Sequence, residues 1–172
     1  RLILQSSLII VFVDMLNLNI LDLRNELLNN LISNYYFNIF FISFCFLVLI
    51  NGSNFIDGLD GLNLGYFLSI LITILILNQS SKIIINEDQI TMLFCIVTFL
   101  FLFNIFNLLY LGDSGSYLIG FLFGYFLLEI NDSNSLISPY FIALLFWYPA
   151  FENLFSIIRK KIIRIDPLDA DN

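Results

Sequence analysis

Apolar residues run through this chain in long blocks, and the polar positions between them are few and clustered. Six blocks can be traced: roughly Leu2 to Ile20, Tyr35 to Ile50, Leu62 to Leu77, Ile90 to Leu109, Tyr117 to Ile130 and Pro139 to Ile158. The first is interrupted by Asp14 and Asn17, and the last carries Pro149 and Glu152. A straight bilayer crossing needs about 20 residues, so the shorter blocks are expected to reach a few residues into their flanks. A proline inside a membrane helix is tolerated where neighbouring groups satisfy the backbone it frees, and the sixth block is therefore kept. The pattern predicts an all-α fold. It is a polytopic transmembrane helical bundle with about six membrane segments, one integral membrane domain over residues 1–172, and polar clusters in its loops.

Composition sharpens this picture. The chain is 59% hydrophobic and only 12% charged, whereas a soluble domain carries about twice that charge. The net charge of −7 comes with no basic footprint for a nucleic acid. Cys45 and Cys95 lie in separate apolar blocks, which suits packing rather than a disulfide framework. With no histidine, neither an imidazole base nor a His metal ligand is available. The chain opens on Arg1 and closes on "PLDADN", as expected of an internal stretch of a longer domain.

Charge also orients the segments. If Arg159, Lys160, Lys161 and Arg164 are cytoplasmic, as positive charge at span ends predicts, parity fixes the remaining loops. Five basic residues (with Arg1) then fall inside, and two, Arg24 and Lys82, outside. The same walk puts the loops at Asn51 to Gly61 and at Gly112 to Ser116 on the cytoplasmic face.

Those two loops carry the candidate chemistry. In "NGSNFIDGLDGLNLG" (Asn51 to Gly65), Asn51 and Asn54, like Asp57 and Asp60, are three apart, a spacing that pairs side chains on a helical turn. Four such positions drift around a helix, so two pairs on an irregular, glycine-loosened helix entry are expected. Two acids at a membrane boundary repel unless a cation compensates, and Mg²⁺ favours carboxylates together with substrate phosphates. Helix capping by Asp and Asn accounts for the same residues without a ligand. In "YLGDSGSYLIG" (Tyr110 to Gly120), Asp113 precedes a small-residue turn whose N–H groups suit phosphate oxygens, although an N-cap alone would read the same way. A third stretch, "WYPAFENLFSIIRKKIIRIDP", sets Phe155, Ile158, Ile162 and Ile165 against Lys160, Lys161 and Arg164, the pattern of an amphipathic helix at a membrane surface. Asp14, Asn17, Glu129 and Asp132 are given no function.

Taken together, these stretches resemble the polyprenyl-phosphate N-acetylhexosamine-1-phosphate transferases, the family that also includes phospho-MurNAc-pentapeptide translocase. "NGSNFIDGLDGLNLG" is similar to its N-x-x-N-x-x-D-G-x-D-G segment, "LGDSGSYLIGF" to its G-D-x-G segment, and "WYPAFENLFSIIRK" to the stretch before its His-rich loop. Ile56 before the first acid resembles the glycan-initiating branch. The resemblance implies transfer of a HexNAc-1-phosphate, GlcNAc-1-phosphate foremost, from UDP-N-acetylhexosamine to undecaprenyl phosphate with release of UMP. It also implies an inner-membrane location with a cytoplasmic site among membrane lipids, and it allows a homodimer. It makes Asp57, Asp60 and Asp113 catalytic and gives Asp113 the Mg²⁺, with Mn²⁺ an alternative ion. Asn51, Asn54, Asn104, Tyr110, Gly112 and Ser114 would contact substrate, Tyr110 near the uracil. Asn104 lies slightly closer to Asp113 than the family's interval. The family's acidic pair and His loop would fall beyond the two ends, so the 172-residue piece is expected to be inactive alone. Two other readings stay open: a non-catalytic scaffold of the same fold, and a small-solute transporter. The clustering of the three acids on one face speaks against the transporter.

Overall fold

The computed structural model describes residues 2–81, 87–133 and 137–163, and every element in them is helical. The helices are α1 (Leu2–Met15), α2 (Glu26–Ile32), α3 (Tyr35–Ile56), α4 (Leu62–Ser81), α5 (Glu87–Ile105), α6 (Gly112–Ser133), α7 (Pro139–Leu145) and α8 (Trp147–Ile163). The all-α membrane bundle is thus observed. By length and apolarity, α3 and α5 can each cross a bilayer, and α7 with α8 can form a third, broken span. The expected six segments are reached only by adding α1 and α4, which are apolar but shorter, and the 22-residue α6. Arg1, Lys82, Arg164 and Ile165, used above, lie outside the described residues.

Helix ends follow local chemistry. The first apolar block stops at Met15 because Asn17 adopts a left-handed φ of 50° and Leu18 N donates to Val13 O at 3.1 Å, a Schellman ending. Asn107 (φ 56°) ends α5 in the same way, with Leu108 N donating to Phe103 O at 2.9 Å. Asn25 and Asn34 cap α2 and α3 by accepting first-turn N–H groups. Buried Asn38 ties the preceding segment down, donating to Ile20 O and Ile32 O and accepting from Ile20 N. Asp14 accepts from the Tyr35 hydroxyl, so Asp14 and Asn17 serve the joint between α1 and α3.

Helix α3 is the hub, touching α1, α2, α4, α6 and α8. Helix α6 stands between two apolar clusters. One face places Ile119, Phe123, Leu127 and Ile130 with Leu64, Phe67, Ile70 and Leu71 of α4; the other places Tyr117, Phe121 and Tyr125 with Ile9, Val13, Ile42 and Phe46. Between membrane helices lipid removes most of the hydrophobic drive, and close contact through small residues takes its place. Gly120 meets the backbone of Ile50 and Leu49, and a Cβ at Gly52 would come within 2.1 Å of Pro149 O. Outward, Phe40, Ile76, Met92, Phe99 and Trp147 are exposed, as a lipid-facing surface requires. Cys45 and Cys95 are free thiols, unpaired as expected.

The sixth block shows what its proline does. Helices α7 and α8 meet at an angle of 58°, and the break falls at Phe146, before Pro149. Pro149 has no N–H to return to Leu145 O, four residues earlier, and its ring crowds that carbonyl. The Tyr66 hydroxyl of α4 donates to Leu145 O instead. Replacing Tyr66 by Phe is expected to orphan that carbonyl and cost about 1–2 kcal/mol, read as a lower thermal unfolding midpoint in detergent. Gly52→Val should cost more, by driving α3 off Pro149. Trypsin should then cut within α8 at protease levels that leave the wild type intact.

Candidate active site

Asn51 to Ile56 form the last turns of α3, not an irregular helix entry as the glycines suggested. Asp57 is the C-cap, and residues 58–61 make the turn into α4. The carboxylates therefore sit at the C-terminal end of a membrane helix, where the backbone leaves the apolar layer. Gly61 takes φ +78°, the left-handed conformation that closes this turn. Across from it α6 starts at Gly112 (φ +62°), ahead of the expected Tyr117, and holds Asp113 in its first turn. The macrodipole favours a negative charge there.

Side chains join the two motifs. Asn54 Nδ2 donates to Asp113 Oδ1 at 3.0 Å, and Asn54 Oδ1 accepts from the Tyr117 hydroxyl at 3.3 Å. Ser116 Oγ donates to Asp57 Oδ2 at 2.7 Å and lies 2.9 Å from Gly112 O. Beneath them Ser53, fully buried, sets its Oγ 2.9 Å from Ser116 O and 3.2 Å from Asn63 Oδ1. Asn104 clips the two loops together: its Oδ1 accepts from Gly61 N at 2.5 Å and its Nδ2 donates to Leu109 O at 2.9 Å.

Asn54, Asp57 and Asp113 therefore come together at one end of the bundle. Asp60 is exposed on the turn beside them, and Ser114 is exposed in the first turn of α6. Tyr110 is 80% exposed, with its ring against Gly112. Asn51 does not join the network; its Nδ2 donates back to Leu47 O at 2.8 Å on its own helix. Asn104 is buried, with both ends of its amide on backbone groups, so it shapes the loops and offers no surface to a ligand. Ser53, Asn63 and Ser116 were not singled out from sequence. Ser116 had a signal in the repeated small polar residues of "GDSGS", and Asn63 in being an amide within an apolar run.

Lys160 corrects the amphipathic picture of α8. It is only 6% exposed, and its Nζ lies 5.8 Å from the centre of the Phe55 ring, within cation–π reach. Phe155, Ile158 and Ile162 are exposed, and so is Lys161. Helix α8 packs across α3, so its apolar stripe faces away from the bundle and this cation turns inward, next to the motif.

Burial raises the Asp57 carboxyl above its ordinary value. Hydrogen bonding from Ser116 and the influence of the nearby Asn63 amide pull it back, and the charges of Asp113 and Asp60 push it further up. Among the described residues no three His, Cys, Asp or Glu side chains form a group that could hold a metal ion. The oxygens present (carboxylates of Asp57, Asp60 and Asp113, the amide of Asn54) are hard donors. They fit Mg²⁺ held by one or two carboxylates and completed by water and substrate phosphates, not by a closed protein cage.

The model of one sequence family, glycosyl transferase family 4, matches residues 1–131. Both acidic motifs fall within that match, whereas the "WYPAFENLFSIIRK" stretch lies beyond it. No curated protein and no solved structure matches the chain.

The environment of Asp57 has a consequence for stability. Its folded-state pKa is raised, so the folded chain holds that proton more tightly than the unfolded chain does. Stability is then lost as pH rises from the ordinary value of 3.8 through the raised one, and the full cost persists above it. Asp57→Asn is expected to unfold at a higher temperature than wild type at pH 7, with the gain vanishing below pH 3.8. Parallel thermal melts across pH check this.

Proposed function

Because the chain belongs to glycosyl transferase family 4, whose members pass sugar phosphates to polyprenyl phosphates, we propose that it transfers HexNAc-1-phosphate, GlcNAc-1-phosphate foremost, from a UDP-sugar to undecaprenyl phosphate. The bond between the sugar-bearing phosphorus and the uridylate oxygen breaks. A bond from the carrier's phosphate oxygen to that phosphorus forms, and UMP leaves with the electron pair. The observation that carries this reading is the pair of side-chain bridges, Asn54 to Asp113 and Ser116 to Asp57, which unite both acidic motifs at the start of α6.

Phosphoryl transfer asks a protein for positioning and charge stabilisation more than for covalent chemistry. The first N–H groups of α6 offer donors to diphosphate oxygens. Asp113 is the residue we assign to Mg²⁺, and Asp57, Asp60 and Asn54 line the nucleotide-diphosphate site with it. When bound, the ion supplies neutralisation of the diphosphate charge. Exposed Tyr110 beside Gly112 suits stacking on the uracil. Lys160 adds positive charge behind the site. The exposed apolar stripe of α8 lets the carrier's hydrocarbon stay in lipid while its phosphate reaches the polar mouth. This reading sets the site on the cytoplasmic face of the inner membrane, where nucleotide sugars are made.

Membranes expressing the complete reading frame, given labelled UDP-GlcNAc and undecaprenyl phosphate, should form a lipid-linked sugar and release UMP. Asp113→Asn should lower the rate by roughly 10²-fold or more. Chelation should abolish turnover, and added Mg²⁺ or Mn²⁺ should restore it. Wild-type turnover by Asp113→Asn would overturn the assignment, and a folded wild type with no transfer from any UDP-sugar would favour the non-catalytic scaffold.

A further inference from the structure

Asn63 lies in the first turn of α4, 1% exposed, followed at once by Leu64 and then Phe67, both fully buried. Its Oδ1 faces Ser53 Oγ at 3.2 Å. Its Nδ2 has no partner at hydrogen-bonding distance and angle. A buried donor left unmade destabilises the fold, whereas an apolar group of the same shape can be neutral or stabilising there. Ser53 does not need the amide, since Ser116 O already lies within its reach at 2.9 Å. Packing therefore gives no reason for Asn at this position.

The neighbouring carboxylate does give one. Asp57 is held on one side by Ser116 of α6, through Oδ2. We propose that Asn63 is a positioning residue for Asp57, whose Nδ2–H donates to that carboxylate when substrate occupies the site, so that α4 and α6 grip it from two sides. This rests on the reading that Asp57 belongs to the transfer site. The amide belongs to the same buried cluster as the carboxylate: its Oδ1 meets Ser53 Oγ, Ser53 Oγ lies 2.9 Å from Ser116 O, and Ser116 Oγ donates to Asp57 at 2.7 Å. A rotation of the carboxylate at its end-of-helix position would complete the bond. A residue of this kind lowers stability in the resting protein and orders the site during turnover, a conflict found where local rules yield to function.

The test uses the complete chain in detergent, with melting temperature, kcat and KM for the nucleotide sugar measured together. Asn63→Leu keeps the shape and removes the donor. It should melt no lower than wild type yet lose at least tenfold in kcat, with KM changed less than threefold. Wild-type kcat in Asn63→Leu overturns the proposal. If that variant does not fold, Asn63→Ala and Asn63→Ser decide, because they leave the same space and differ by one hydroxyl that can reach Asp57 through a water. At least threefold higher kcat in the Ser variant supports the proposal, and equal values overturn it. Asp57→Asn, measured alongside, separates the two failures. If it is fully active, Asp57 leaves the site and Asn63's role goes with it. If it is inactive while Asn63→Leu is normal, only Asn63's role is lost.

Discussion

Where α3 meets α6, polar groups must find partners in a layer that holds almost no water. Ser53 is completely enclosed there, and its hydroxyl reaches the Ser116 carbonyl on the opposite helix. That contact is possible because Gly120 and Gly124 bring the two helices close, so close that a Cβ at Gly120 would press on the Ile50 backbone. Everything nearer the polar end follows from this approach. Ser116 is then in reach of Asp57, and Asn54 in reach of Asp113. In an apolar layer each such bond also rules out other alignments, because shifting one helix by a turn would strand several polar groups at once.

The site is thus assembled on helix ends. The C-terminal end of α3 gives Asn54 and Asp57, the N-terminal end of α6 gives Asp113 and Ser116, and α4 and α5 supply the buried amides Asn63 and Asn104. Helix ends leave backbone groups unpaired, so a ligand rich in oxygen acceptors meets N–H groups as well as side chains. The broken pair α7–α8 closes the rear of this arrangement. Pro149 lies against Gly52 and Lys160 over Phe55, both at the motif end of α3. The break itself traces to one missing N–H and one tyrosine hydroxyl.

Much of this was legible beforehand, for identifiable reasons. Long charge-poor blocks can only be membrane helices, so the all-α bundle was readable from apolarity alone. The acids at 57, 60 and 113 stood out because ionisable groups beside apolar runs are costly. Charge parity put both motifs on one face, and the bridges from Asn54 and Ser116 now join them. Other features were not legible. That Asn17 and Asn107 would adopt positive φ and end their helices depends on how the following chain must turn. That Lys160 would be buried and the Phe155–Ile162 stripe exposed depends on which face of α8 meets α3. Periodicity reveals that a helix has two faces but not what each one touches.

By itself, the sequence determined the solvent this chain must live in, the helical form that solvent imposes, and the acidic motifs at helix ends. Those properties are local: each depends on one residue or one run, together with the energetic penalty for bare backbone in lipid. Only the tertiary structure decided that Ser53 links Asn63 and Ser116 beneath Asp57, that Ser116 holds Asp57, that Asn104 binds two loops, and that Tyr66 repairs the carbonyl Pro149 leaves open. Each of those outcomes is a pairing between residues on different helices or across a loop. It depends on distances of about 3 Å that helix packing sets and that no spacing along the chain encodes.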